Sequence, residues 1–183
     1  MLALHDGRPF VRHAVEAARE AGLAPVIVVL GHRAEDVSAV LDAGAATLVR
    51  NARFAEGLST SVQAGFAALP AQAEAVVVLL GDMPAIGSAL VRDLAEAWIA
   101  SGRPPALVPT FQGRRGNPVV ISRALAPEVA TLSGDAGFGP LLRTVPGVIE
   151  HPMTNAAIGL DIDTPDALGR LVQASTTPSS TAQ

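Results

Sequence analysis

The chain has 183 residues, 49% of them apolar and 16% charged, with a net charge of −4; that length suits one domain and that apolar content excludes disorder for most of it. It contains no cysteine, which excludes a disulfide framework and a thiolate metal site and fits a cytoplasmic protein. All 13 basic residues are Arg, they form no run, and the apolar stretches are short, which argues against nucleic-acid and membrane partners and against a signal peptide.

In chain order, residues 8–21 have the apolar spacing of a helix, with Pro9 in the first turn and Gly22 as its stop. Residues 25–30 are a continuous apolar run rich in β-branched side chains, as in a strand buried on both faces. A helix is expected over 34–43, a strand over 46–49, a helix over 59–69, a strand over 75–80 and a helix over 86–100. Strands over 106–110 and 118–121 flank a polar turn and suit a hairpin. Helices follow over 123–132 and 138–144, then strands over 148–150 and 158–160. Thr164 and Pro165 open a last helix over 164–172.

This alternation predicts an α/β fold: a doubly wound, mostly parallel, Rossmann-like sheet. The expected organisation is a single domain over 1–173 and a disordered Ser/Thr/Pro-rich tail over 174–183. Such a domain normally opens with a strand, yet this sequence opens on a helix, so either the domain starts unusually or its first strand is missing from this sequence.

Five polar segments can carry chemistry. Gly81-Asp82-Met83-Pro84 follows the most apolar strand, where open parallel sheets bind ligands. Asp82 there either holds a divalent cation through hard oxygen or closes a turn into the next helix. Asp161 and Asp163 fall on one face of an extended segment; they share a cation, or Asp163 or Thr164 caps the helix that Pro165 opens. Gly57, Ser59 and Ser61 lie where a helix begins, as a phosphate or base contact or as an ordinary cap. Arg50 and Arg53, just before them, could add cationic contacts.

Arg115, Gly116, Asn117 and Pro118 lie on a basic turn that either clamps an anion or is a solvated tip. Asp135 sits between glycines, again as cap or site. The four histidines have no metal spacing, and no nucleophile elbow or Ser/His/Asp set is evident.

Taken in order, Asp6-Gly7-Arg8-Pro9, Val28-Val29-Leu30-Gly31, Gly57-Leu58-Ser59-Thr60-Ser61, Leu80-Gly81-Asp82-Met83-Pro84, Arg115-Gly116-Asn117-Pro118, Ser133-Gly134-Asp135-Ala136-Gly137 and Asp161-Ile162-Asp163-Thr164-Pro165 resemble the molybdenum cofactor cytidylyltransferases. These are nucleotidyltransferases of GT-A, Rossmann-like fold. The 57–61 segment favours this branch over guanylyl-transferring relatives.

The resemblance implies transfer of CMP from CTP to the terminal phosphate of Mo-molybdopterin, with release of pyrophosphate. It implies Mg²⁺ on Asp82 and on Asp161 or Asp163, with Asp82 and Asp163 catalytic. Gly57, Ser59, Ser61, Gly81 and Asp82 would bind nucleotide. Arg115, Gly116, Asn117, Pro118 and Asp135 would bind the pterin substrate. A molybdoenzyme or its insertion chaperone is the further candidate partner.

The family pattern opens with a strand and a glycine-rich loop ending in Lys, and this sequence begins just past that place and has no Lys. The simplest explanation is an incomplete sequence, and a degenerate homologue is the second. Weak CTP affinity is expected for the chain as it stands. Two other readings are a non-catalytic molybdopterin-binding protein and a nucleotidyltransferase for another phosphorylated substrate.

Overall fold

Asp6 and Gly7 adopt φ of 49° and 73°, the pair a two-residue type I′ turn requires. In a computed structural model, which describes residues 1–159, they join β1 (Leu4–His5) to β2 (Arg8–Pro9) as a short antiparallel hairpin. The helix expected from residue 8 therefore starts later, as α1 (Phe10–Glu20). It buries Phe10, Val11, Val15, Ala17 and Ala18, and it ends where Leu23 N–H donates to Ala18 O and Gly22 N–H to Arg19 O. That reciprocal pair is a Schellman stop, with Gly22 in the left-handed region at φ 83°.

β3 (Ile27–Leu30) and β4 (Thr47–Arg50) flank the short α2 (Ala34–Ala39) and pair in parallel. A 3-10 turn, Phe54–Glu56, leads into α3 (Leu58–Ala67). β5 (Ala75–Val78) follows, two residues shorter than expected, and then α4 (Ser88–Ala100). In α4, Leu90, Val91, Leu94 and Trp98 form the buried stripe, and Trp98 Nε1–H donates to Pro104 O at 2.8 Å.

β6 (Ala106–Phe111) turns through Gln112 and Gly113, both at positive φ, into β7 (Arg114–Arg115). β8 (Val119–Ser122) lies antiparallel between β5 and β6, so the expected hairpin-like excursion is present and is built into the sheet. The helix expected over 123–132 is broken into a 3-10 turn, Arg123–Leu125, and α5 (Ala126–Ala130), because the Ser122 hydroxyl accepts from Ala124 N–H and sets a tight start. α6 (Gly139–Thr144) precedes β9 (Ile149–Pro152), which pairs in parallel with β6.

The strand expected over 158–160 is corrected. Ala156–Gly159 is a 3-10 turn, started by Asn155 Oδ1 accepting from Ala157 N–H at 2.9 Å. Asp161, Asp163, the helix over 164–172 and the tail over 174–183 lie outside the described residues.

The architecture is α/β. β5, β6 and β9 run one way, with β8 and β7 opposed. One apolar cluster joins α1 and α4 to a sheet face through Val91, Leu94, Leu107 and Val120. A second joins Val108, Ile121 and Val129 to Phe138 and Leu141, with α3 packed against it, and a third joins Val11 and Val15 of α1 to Val28 and Leu30 of β3 and Val37 of α2. β3 and β4 form a separate pair, and among the described residues no strand bonds β3 to β5. No described helix is long and apolar enough to cross a membrane.

Candidate active site

At the end of β5 the chain runs through Leu79 and Leu80 to Gly81 and Asp82. Met83 and Ile86 are both 3% exposed and sit in the core, so they pin the turn that carries Asp82. Among the described residues, Asp82 Oδ1 is the buried side-chain oxygen with no hydrogen-bond partner. A buried acceptor left unpaired costs about 1–3 kcal/mol. It is thus the feature here that points most directly to something bound, and a carboxylate oxygen in that state suits a hard divalent cation. No three His, Asp or Glu among the described residues converge on one point; the companion candidates, Asp161 and Asp163, are beyond them.

The 57–61 segment is fixed by a polar knot. Asn51, 6% exposed, donates from Nδ2 to Thr60 Oγ1 at 2.8 Å and to Ser61 Oγ at 3.0 Å, and its Oδ1 accepts from Arg53 N–H. Ser59 is 1% exposed, and its N–H donates to Gly134 O at 3.1 Å. Gly57 has φ 116°, and a Cβ there would lie 2.3 Å from Gly134 O. The two glycine motifs, 57–61 and 133–137, therefore dock on each other at the start of α3. Sequence reading saw both motifs and missed Asn51, which orients Ser61.

Asn51→Leu is expected to remove the donor to Thr60 Oγ1 and Ser61 Oγ and the acceptor of Arg53 N–H, lowering stability by about 1–3 kcal/mol in a urea melt. An unchanged melt would show that water replaces the amide.

Arg50 and Arg53 do not face a ligand uncommitted. Arg50 pairs with Glu35 and Arg53 with Glu56. The hydrogen bonds from Arg53 hold Glu56 below the usual carboxylate range, and those from Arg50 do the same for Glu35.

The basic turn is likewise built in. Arg115 donates to Glu150 Oε1 at 2.8 Å and to Leu142 O at 3.0 Å. Asn117 N–H donates to Ile158 O at 2.9 Å. A Cβ on Gly116 would lie 2.2 Å from that same oxygen, and Pro118 is fully buried. Residues 115–118 thus dock on the turn at Ala156–Gly159.

One open cavity of about 1600 Å³ is lined by Gly57, Ser61, Gly81, Arg115, Gly116 and Asn117 together. The fold brings these candidates from three segments to one place. Ser59 and Pro118 are buried beneath it, and Asp135 is exposed.

The profile of the MobA-like NTP transferase domain matches residues 1–151. The chain belongs to that family. This MobA-like chain is 32% identical over 174 residues to the nicotine blue oxidoreductase of Paenarthrobacter nicotinovorans, spanning 92% of this chain and 85% of that one. Among solved structures it is similar to Rv0371c from Mycobacterium tuberculosis H37Rv at a TM-score of 0.82 and 26% identity, covering 94% of this chain and 87% of that one. A complex of Rv0371c with manganese from the same organism gives 0.80 and 25%, covering 94% and 90%. The MobA-like family is one of nucleotidyltransferases, which agrees with a cleft lined by Gly57, Ser61, Arg115 and Gly81, the residue before Asp82.

Proposed function

We propose that this MobA-like protein transfers CMP from CTP to the terminal phosphate of Mo-molybdopterin, with Asp82 holding a divalent cation, Mg²⁺ in the cell. The observation that carries the reading is the buried, unpartnered Oδ1 of Asp82 at the carboxyl end of β5. The manganese complex of Rv0371c supports a divalent ion in a similar chain. When bound, the cation would supply charge neutralisation on the transferring phosphorus.

The chain's own residues then do positioning. Ser61, aimed by Asn51, and the backbone at Gly57 take the nucleoside side. The turn at Gly116 and Asn117 takes the pterin side, with Arg115 behind it. Asp163 or Asp161 would be the second carboxylate on the cation, and Asp135 a rim contact to substrate. Ser59 acts beneath the nucleotide subsite by tying α3 to Gly134. Phosphoryl-type transfer asks for alignment and electrostatics rather than a protein nucleophile, and none is proposed.

The test is incubation with α-labelled CTP, Mg²⁺ and Mo-molybdopterin. Label in a dinucleotide and free pyrophosphate is the expected result. Label transferred from GTP instead would replace the cytidylyl assignment. Pterin binding with no transfer would favour a carrier, and NAD(P)H consumption would favour an oxidoreductase like the Paenarthrobacter relative.

A further inference from the structure

The chain has few aromatic side chains: five Phe, one Trp and no Tyr. The core takes all but one of them. Phe10, Trp98 and Phe138 are buried, and Phe66 and Phe111 pack against the apolar clusters. Phe54 is the exception, at 42% exposed. It lines the cavity that holds the candidate site, on the same wall as Gly57 and Ser61.

The backbone holds this ring in place. A Cβ on Gly31 would lie 2.7 Å from Phe54 Cβ and 3.2 Å from its Cγ, so the end of β3 admits the side chain only because residue 31 is glycine. The 3-10 turn that carries Phe54 is tied at both ends. Arg53 N–H donates to Asn51 Oδ1 at 2.9 Å, and Gly57 N–H donates to Phe54 O at 3.3 Å. The Arg53–Glu56 ion pair spans the same turn. His32 forms a tilted pair with the ring, with centroids 6.1 Å apart and planes at 54°, within the usual range for aromatic pairs. His32 and Leu58, both exposed, line the cavity as well. A single exposed apolar side chain needs no explanation. An aromatic face fixed in advance on the wall of a cleft does, because a ring already held costs little entropy to stack against.

We propose that Phe54 is the stacking face for a planar heteroaromatic ring of the substrate, with His32 and Leu58 beside it. Every such ring offers a π-face, and an aromatic side chain supplies the matching surface. The proposal rests on reading the cavity as a nucleotidyl-transfer site, where two such rings meet, the base of the nucleotide and the pterin. Phe54 recognises either by the same chemistry, and it therefore sets affinity rather than the rate of the chemical step.

The test compares the parent with Phe54→Leu, which keeps an apolar side chain and loses the ring, and with Phe54→Tyr, which keeps the ring. Dissociation constants are read by NMR titration with Mg²⁺ present for three probes: CTP, tripolyphosphate and pterin-6-carboxylate. Phe54→Leu is expected to weaken a ring-bearing probe about fivefold or more and to leave tripolyphosphate unchanged, with Phe54→Tyr restoring the parent value. Weakening of CTP assigns the ring to a nucleobase, and weakening of pterin-6-carboxylate assigns it to a pterin. Equal weakening of CTP and tripolyphosphate would overturn the proposal, since Phe54 would then only prop the turn. So would ring-bearing probes that bind the parent and Phe54→Leu alike, or that bind neither. Failure of the proposed reaction reads differently. CMP transfer with unchanged KM values in Phe54→Leu would overturn the stacking role and leave the reaction standing. Ring binding that needs Phe54, in a protein that transfers no CMP, would do the reverse.

Discussion

Asp82→Ala is expected to invert the stability order of the two proteins when a divalent cation is added. Without metal the variant should melt a few degrees higher than the parent. It loses an oxygen that is buried without a partner, a defect of about 1–3 kcal/mol, and one kcal/mol is roughly 2–4 °C for a chain of this size. With Mn²⁺ at a hundredfold excess over its dissociation constant, the parent should gain about 2.7 kcal/mol by mass action and overtake the variant, which gains nothing. The variant should also lose Mn²⁺ binding at least tenfold by spectroscopic titration and lose nucleotidyl transfer in any preparation that shows it. A variant that melts lower in both conditions would mean that Asp82 serves the turn between Leu80 and Met83. Equal metal gains in both proteins would remove Asp82 from the cation site.

The alternation of strands and helices was legible because β-branched runs such as 26–30 and 75–80 differ in period from the stripes of α1 and α4. The errors fell where a side chain competes with the backbone or where the turn chemistry was passed over. Asp6-Gly7 is a strong hairpin signal, yet the apolar periodicity after it drew the helix two residues too early. Asn155 turned an apolar run, read as a strand, into a 3-10 turn by accepting from Ala157 N–H.

In the site, each glycine-rich motif was visible as a one-dimensional pattern, with cap and ligand contact as its two possible roles. The structure supplies a third role, because several of the motifs are contacts with one another. Gly57 exists for Gly134, and Gly116 for Ile158. Asn51 has no such pattern around it, since nothing in the spacing shows that it reaches across to Thr60 and Ser61.

Gly116→Ala is expected to cost about 3 kcal/mol, roughly 6–12 °C in the melting midpoint. The new Cβ would meet the Ile158 carbonyl at 2.2 Å, and backbone there cannot rotate away as a side-chain tip could. Asn117 N–H donates to the same carbonyl, so relief of the clash breaks that bond as well and moves the turn that lines the cavity. Two other glycines separate the causes. Gly44 has φ 77° and open space around it, so Gly44→Ala should show conformational strain alone, about 1–2 kcal/mol. Gly57 combines φ 116° with a backbone contact at 2.3 Å, so Gly57→Ala should be the most damaging of the three. The order Gly57, Gly116, Gly44 in urea melts is the expected result. If Gly116→Ala lay within about 0.5 kcal/mol of the parent, as ordinary surface substitutions do, residues 115–118 would not be docked on the turn at 156–159. The pterin side of the proposed site would then have to be built elsewhere.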